Sequence, residues 1–487
     1  MRKFHRAFNA LALIVMIFGL LIAVPLIVSW LLGEDATAAF GWAMGITLSV
    51  GIPLWWLTRP PAEQRNLRPS DGFLMVATTW IVLPIFGAIP LKLYLPELTI
   101  SMAYFEAVSG LTATGASILY NVGDLPVSIN LWRTFMHWLG GMGVIVLVVA
   151  ILPLLGIGGR QLFKAEVPTP MKESSLTPRI AETAKGLWLT YALLTIGCGI
   201  SLWVVGMSPW DAVIHAFSVV GLGGFSSKDA SLGYFDSVPI ELVVMGFALL
   251  SGLNYATHYL ALMRRSARIY LRDPELPFYF LVIAFSVVMM SAYLMYYDST
   301  AHFGTTLRQV AFHVVSIGTT LGLTTHDYTM WPGFLQIWLL FLGTFLACSG
   351  STGGGSKMMR AIILFKQAYR EIVRTLHPRA VKPVRLGTTA VSENVLHAVL
   401  GFSFMYMATI ILLTLLMTAF GADLVTGFSA VVACVNNIGP GLALVGPASN
   451  YAGFSEIQMW LLSFAMVLGR LEFFTLLVVL TPVFWRR

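Results

Sequence analysis

Four short segments of the sequence share a glycine that could let backbone carbonyl oxygens line a passage for a cation. The glycines are Gly115, Gly224, Gly322 and Gly439, spaced 109, 98 and 117 residues apart. The segments align without gaps as SGLTATGAS, SVVGLGGFS, SIGTTLGLT and ACVNNIGPG. Successive carbonyls can line one axis only if some residues adopt left-handed backbone angles, which glycine does at low cost. Chance alignment in a chain with 44 glycines is the alternative.

The predicted ligands are backbone oxygens, which are hard and neutral and therefore suit alkali-metal ions. Each segment follows a short apolar stretch that we expect to be a helix. Its C-terminal end would direct partial negative charge at the segment. The pattern predicts a cation pore without fixing which alkali ion passes. The predicted pore-lining residues are Thr112, Ala113, Thr114, Gly115, Gly221, Leu222, Gly223, Gly224, Thr319, Thr320, Leu321, Gly322, Asn436, Asn437, Ile438 and Gly439.

The short predicted helices begin with residue types that cap helix N-termini. These residues are Ser101, Ser208 followed by Pro209, Thr305 or Thr306, and Asp423.

One aligned column inside the short helices is polar in three repeats. It holds Glu106, His215 and His313, with Ala430 in the fourth repeat. These groups either carry protons or anchor the helices, and the second interpretation is favoured. Nothing in the sequence indicates that they converge, so they do not predict a metal site.

Other kinds of chemistry have little support in the sequence. None of the nine histidines belongs to an HExxH motif, and no Ser/His/Asp set stands out, so an enzyme is not predicted. Cys198, Cys348 and Cys434 lack CxxC spacing and predict neither disulfides nor a metal site. The tract Gly350–Ser356 superficially resembles a phosphate-binding loop but lacks the Walker spacing and a preceding strand.

The elements that must position these residues cross a membrane. Hydrophobic residues make up 57% of the 487 residues and charged residues 11%, against about 25% charged in soluble domains. Between pairs of long apolar stretches lie the four short pieces, which are too short to cross and are predicted to be re-entrant. Ten spanning helices are predicted near 8–33, 38–58, 72–95, 129–157, 184–206, 238–263, 276–297, 333–370 (interrupted), 391–419 and 456–485.

The net charge of +7 follows membrane topology rather than nucleic-acid binding. Basic residues collect in alternate gaps between the apolar stretches, with seven between residues 360 and 385. This bias predicts that these gaps and both termini are cytoplasmic. Ordinary topology and anionic lipid together account for most of the basic charge in the segments 157–182 and 360–390. No nucleic-acid partner is predicted.

The combined motifs resemble those of the TrkH-type subunits of bacterial Trk/Ktr potassium-uptake systems, within the Trk/Ktr/HKT superfamily. The resemblance covers essentially the whole chain and rests on the four repeats, the leading helix pair, and the strings VNNIGPGL from Val435, GGFS at 223–226 and RDPE at 272–275. It implies potassium uptake across the bacterial inner membrane. In that family one glycine per filter accompanies potassium passage, while serine in the first filter accompanies sodium preference in plant relatives.

The resemblance also implies partners and a regulator. Family members are homodimers on a cytosolic nucleotide-binding ring, TrkA. We therefore expect ATP, ADP or NAD on that partner and no covalently bound cofactor on this chain, with potassium as the substrate.

Two gate elements follow from the resemblance as well. The family's loop beneath the filter corresponds to Gly350, Ser351, Thr352, Gly353, Gly354, Gly355, Ser356 and Lys357, and its membrane-embedded arginine corresponds to Arg470. From the residues alone, Arg470 could instead pair with Glu472, and Lys357 could extend to the cytoplasmic boundary.

The predicted fold is an all-α polytopic membrane protein with four pseudo-symmetric helix–pore loop–helix repeats around one pore. The predicted divisions are 1–65 for two N-terminal helices, 66–175, 176–270, 271–385 with a broken second helix, and 386–487 for the repeats. A symporter that couples potassium entry to sodium or protons is the alternative. Repeats of one orientation favour the pore.

Overall fold

The computed structural model of the protein describes residues 5–59, 69–150, 176–297, 302–387 and 389–486, without the side chains of 69, 144–150 and 176–182. The predicted division at 65/66, residue 175 and most of the basic segment 157–182 lie outside the described residues. The described residues of all ten predicted spanning positions hold helices, and residues 151–157 of the predicted span 129–157 lie outside them. Within the described residues, six helices are long and apolar enough to cross a membrane, and each of two bent pairs adds a candidate span.

Two leading helical stretches precede the repeats. The first is formed by His5–Leu21 and Ala23–Leu32, and the second is Thr37–Leu57. The first stretch packs against the second and against Pro69–Tyr94.

Each of the four repeats places a long helix, a short helix and a second helix in that order. In repeat 1 they are Pro69–Tyr94, Ile100–Leu111 and Val127–Ala150, and in repeat 2 they are Leu176–Val204, Pro209–Gly221, and Val238–Ser251 with Tyr255–Arg264. In repeat 3 they are Leu276–Tyr297, Phe303–Gly318, and Gly333–Phe345 with Met358–Leu376. In repeat 4 they are Glu393–Ala419, Leu424–Val435, and Glu456–Arg470 with Phe474–Leu480 and Pro482–Trp485. Arg385–Leu386 and Thr389–Ala390 form a small antiparallel hairpin.

The repeats close into a ring because the second helix of each packs on the short helix of the next. The four contacts join Val127–Ala150 to Pro209–Gly221, Val238–Ser251 to Phe303–Gly318, Gly333–Phe345 to Leu424–Val435, and Glu456–Arg470 to Ile100–Leu111. The last contact connects repeat 4 back to repeat 1. The predicted four-repeat architecture is therefore confirmed.

Within the described residues the second helix is broken in repeats 2, 3 and 4, whereas the sequence predicted a break only in repeat 3. Val238–Ser251 and Tyr255–Arg264 meet at 93°, and Glu456–Arg470 and Phe474–Leu480 meet at 116°. The prediction of unbroken helices at 238–263 and 456–485 was wrong. In the first, Asn254 caps a new helix by accepting from Ala256 N at 2.8 Å. In the second, left-handed residues end the helix, as described below.

Two of the predicted helix starts need correction. Thr99, not Ser101, caps the first short helix, and its Oγ1 accepts from Met102 N. The third short helix begins at Phe303, so Thr305 and Thr306 lie inside its first turn. Apolar periodicity alone cannot resolve a shift of this size. Ser208 and Asp423 are N-caps as predicted.

Loops after the short helices join neighbouring repeats by hydrogen bonds. Each loop contains one 3₁₀ turn, which the sequence did not reveal. The bonds run from Val122 N to Asp229 Oδ1 (2.8 Å), Gly233 N to Thr324 O (3.2 Å), Tyr328 Oη to Gly441 O (3.0 Å) and Tyr451 N to Ser117 O (2.9 Å). Together they form a second closed ring around the same axis.

Candidate ion pathway

The four short helices end at the predicted segments. Their last residues are Leu111, Gly221, Gly318 and Val435, and all four are buried. We call residues 112–115, 221–224, 319–322 and 436–439 the glycine segments. The partially negative helix ends therefore meet the backbone that was predicted to coordinate a cation.

The glycine segments adopt left-handed backbone at two positions each. Gly115, Gly224, Gly322 and Gly439 have φ of 81°, 88°, 79° and 94°. The residues two places earlier also have positive φ, between 51° and 65°. This backbone conformation is strained for residues other than glycine. The sequence could not reveal this second column, because four residue types occupy it: Ala113, Leu222, Thr320 and Asn437.

The four glycines interlock around one axis. A Cβ added to any of them would lie 2.6 Å or less from a carbonyl oxygen of the next repeat, closer than real Cβ atoms come. Gly115 faces Gly223 O, Gly224 faces Leu321 O, Gly322 faces Ile438 O, and Gly439 faces Thr114 O. The structure thus brings all four predicted segments together, each glycine allowing the neighbouring carbonyl to approach.

All four glycines also line one cavity of about 130 Å³. It lies on the side of the loops that follow the glycine segments, which we call the returning loops. We call this cavity the outer mouth. Its wall includes Arg133, Lys228, Asp229 and Tyr451.

The polar column behind the glycine segments holds the returning loops. Glu106 accepts from Ile118 N at 2.9 Å, and His215 Nε2 lies 3.0 Å from Ser226 Oγ. His313 Nε2 lies 3.1 Å from the His326 carbonyl oxygen. Within the described residues no group of three or more His, Cys, Asp or Glu residues is arranged to hold a metal ion. These contacts support the anchoring interpretation of Glu106, His215 and His313.

Repeat 4 has Ala430 in this column, and its neighbour Ser429 performs the equivalent task. Ser429 Oγ accepts from Leu442 N at 3.0 Å and lies 3.2 Å from Leu442 O. The aligned column holds Ala430, one residue after the serine that makes the contact. Ser429, the sixth residue of the short helix Leu424–Val435, was the available signal.

Repeat 1 differs from the others because its anchor is an ion pair. Arg133 lies 2.8 Å from Glu106, and both side chains are almost fully buried. Arg133 also donates to Ser117 Oγ and Ser226 O, and its guanidinium lies 4.2 Å from the centre of the Phe225 ring. The sequence patterns did not indicate a role for Arg133. It joins the loops of repeats 1 and 2.

The tract Gly350–Ser356, which we call the glycine-rich loop, lies against the opposite ends of the glycine segments. Gly354 N donates to Thr320 Oγ1 at 2.8 Å. A Cβ on Gly353 would stand 2.9 Å from Thr319 O. The break predicted in this helix is confirmed, and it places buried backbone directly beneath the segments of repeats 3 and 4.

Arg470 contacts this loop and not Glu472. Its Nη1 donates to Thr352 O at 2.8 Å, and Thr352 Oγ1 donates to Val220 O at 3.0 Å. The Arg470 guanidinium also lies 5.9 Å from the centre of the Trp80 ring. Its Nε and Nη2 are buried and have no hydrogen-bond partner within the described residues. The hydrogen bond to the Thr352 carbonyl oxygen therefore joins the two predicted gate elements, which are the glycine-rich loop and Arg470.

Lys357 and Glu472 have partners that the sequence did not predict. Lys357 is buried, and its Nζ donates to Gly353 O, so it does not extend to the membrane boundary. Glu472 pairs with Arg360, whose Nη1 donates to Ser356 O at 3.2 Å. Arg360 thus connects the end of the glycine-rich loop to the bend that follows Arg470.

Residues 37–485 match the family model TrkH, described as "Cation transport protein". The chain is 44% identical to the Trk system potassium uptake protein TrkH of Salmonella typhimurium and 40% identical to that of Vibrio parahaemolyticus. These alignments cover 99% of this chain, and 99% and 100% of the two relatives.

The fold is similar to the crystal structure of the potassium transporter TrkH from Vibrio parahaemolyticus. The TM-score is 0.91 at 38% identity, over 99% of this chain and 100% of that one. The sequence and the fold of this chain both match those of TrkH proteins over nearly its whole length. The chain therefore belongs to the TrkH family of cation transport proteins, which are transporters rather than enzymes.

Proposed function

We propose that this chain mediates potassium uptake through a selectivity filter formed by its four glycine segments. The observation that carries the proposal is the closed ring in which each glycine faces a carbonyl oxygen of the next repeat. Such a ring directs backbone oxygens and four negative helix ends at one axis, where they replace the water shell of an alkali ion. The relatives named as potassium uptake proteins support potassium as the ion.

The glycine-rich loop acts as the gate in this proposal. It occupies the inner end of the filter, and Gly354 N holds Thr320 Oγ1. Arg470 and Lys357 each donate to a loop carbonyl, so two positive charges lie beside the path that a cation leaving the filter would take. The pore conducts when the loop withdraws and takes these charges with it. Arg360 and Glu472 restrain that movement.

The surroundings of the pore complete the proposal. The chain lies in the bacterial inner membrane with both termini in the cytoplasm, as the basic residues between 360 and 385 indicate. It forms a homodimer on a TrkA-like cytosolic ring, and ATP, ADP or NAD bound to that ring moves the gate. The family membership shared with the Trk system relatives supports these partners.

Ion flux through the purified protein in liposomes tests the proposal. We expect potassium flux well above sodium flux, and weaker discrimination in Gly115→Ser, because a side chain there meets Gly223 O. Gly333→Ser is the matched control, since no atom lies within 4 Å of a Cβ at Gly333. Uptake that requires a sodium or proton gradient would contradict the channel and support a coupled symporter.

A further inference from the structure

The outer mouth carries charged side chains of both signs around the four glycines. Arg133, Lys228 and Asp229 all line it. Cation channels commonly place rings of Asp or Glu at such positions, where they concentrate cations. A lysine in the mouth of a cation pathway has the opposite electrostatic effect and calls for an explanation.

Two of these charges are engaged by the protein. Arg133 is paired with Glu106 at 2.8 Å. Asp229 uses both carboxylate oxygens to accept from backbone amides, Val122 N at 2.8 Å and Gly123 N at 3.1 Å. Each therefore has a structural task in joining repeats 1 and 2.

Lys228 is held differently. Its Nζ lies 4.9 Å from the centre of the Tyr234 ring, an exposed aromatic face that retains an ammonium without neutralising its charge. Its backbone N–H donates to Ser226 Oγ, two residues after Gly224. The ammonium is thus positioned at the rim of the mouth by an uncharged partner.

We propose that Lys228 is a specificity-determining residue that keeps divalent cations out of the outer mouth. This inference rests on the proposed potassium pore. A positive potential acts on an ion in proportion to its charge, so a potential that lowers monovalent occupancy tenfold lowers divalent occupancy about a hundredfold. The cost is a weaker apparent affinity for potassium. The benefit is a filter that calcium and magnesium do not occupy.

Potassium uptake by the full-length protein in liposomes, with and without external Ca²⁺ or Mg²⁺, tests this role. We expect Lys228→Met to lower the KM for potassium several-fold and to lower the inhibitory Ca²⁺ concentration about tenfold, while Lys228→Arg behaves as the unmodified protein. Raising ionic strength with N-methylglucamine chloride should shrink the difference, because the Debye length falls from about 10 Å at 0.1 M to about 3 Å at 1 M.

The outcomes separate this inference from the proposed function. Absence of potassium flux in the unmodified protein would overturn the pore itself. Normal flux with unchanged divalent sensitivity in Lys228→Met would overturn only the role of Lys228. Equal changes in Lys228→Met and Lys228→Arg that persist at high salt would do the same, because they would indicate lost packing on Tyr234.

Discussion

The two ends of the glycine segments are built on different principles. Towards the outer mouth, four repeats contribute equivalent glycines, equivalent left-handed residues and a closed ring of loop contacts. Towards the inner side, the glycine-rich loop comes from repeat 3 alone, and Arg470 comes from repeat 4 alone. The region towards the outer mouth therefore follows the fourfold repeat symmetry, and the region towards the inner side does not.

This difference matches the separate tasks that the proposed function gives to the filter and the gate. Each outer contact is supported by its neighbours, so one loop cannot move without breaking bonds in the next repeat. The inner region is held by contacts that each occur in one repeat only, and its buried Arg470 leaves two guanidinium nitrogens without partners within the described residues. A buried polar group left unsatisfied raises the energy of that state. In the proposed function, selection belongs to the symmetric region and gating to the asymmetric one.

Gly322→Ala should break the symmetric region with the largest effect. A Cβ there collides with Ile438 O, and the residue has φ of 79°. We expect loss of selective potassium flux in liposomes, with potassium over sodium discrimination falling at least tenfold. Gly333→Ala in the same repeat has open space around its Cβ and should retain selectivity. Equal selectivity in the two variants would contradict the interlocked ring.

Glu106→Gln should test how firmly the outer region is held. It leaves Arg133 buried beside an uncharged amide, and breaking a buried pair costs about 3–5 kcal/mol. We expect a clear fall in the thermal unfolding midpoint of the detergent-purified protein. His313→Gln keeps a polar anchor without unpairing a charge and should cost less. A smaller loss for Glu106→Gln than for His313→Gln would contradict the special role of repeat 1.

Glu472→Gln should act on the asymmetric region. It removes a charge partner of Arg360 and so weakens the link between the bend after Arg470 and the glycine-rich loop. We expect basal potassium flux to rise roughly fivefold or more, in line with typical coupling energies of about 1–3 kcal/mol. The potassium over sodium ratio should not change. Altered selectivity without a rise in basal flux would indicate that the two regions are not separable.

Thr99→Ala gives the smallest expected effect and tests a helix start that the sequence misplaced. Loss of the cap on Met102 N should lower stability by about 1 kcal/mol. Thr99→Ser keeps the capping oxygen and is the control. Thermal unfolding of both variants would check this, and equal losses would point to the threonine methyl group rather than the cap.

Repetition explains which features the sequence could reveal. A property needed four times appears as a column, and Gly115, Gly224, Gly322 and Gly439 form such a column, as do the short apolar helices. The number of helices and the break at the glycine-rich loop follow from apolar length and from glycines that cannot sustain a helix.

Features that occur once, or that several residue types can satisfy, could not be predicted from the sequence. Ala113 and Leu222 take left-handed angles because the ring of neighbours imposes them, not because of their own preference. The bend after Arg470 depends on Glu472 and Phe473, with φ of 50° and 59°, residues that normally continue a helix. Tertiary contacts determine the backbone angles in both cases, so the conformational preferences of these residues could not predict them.

The closed ring of glycines also has a consequence for biosynthesis. Gly439 meets Thr114 O, yet about 320 residues separate Gly115 from Gly439, which at roughly 5–20 residues per second takes about 15–65 s to synthesise. Until then, the place beside Thr114 O that Gly439 occupies in the folded protein stays unfilled. The nascent chain therefore closes the ring of glycine segments only when repeat 4 enters the membrane, and truncation before that point leaves the ring open.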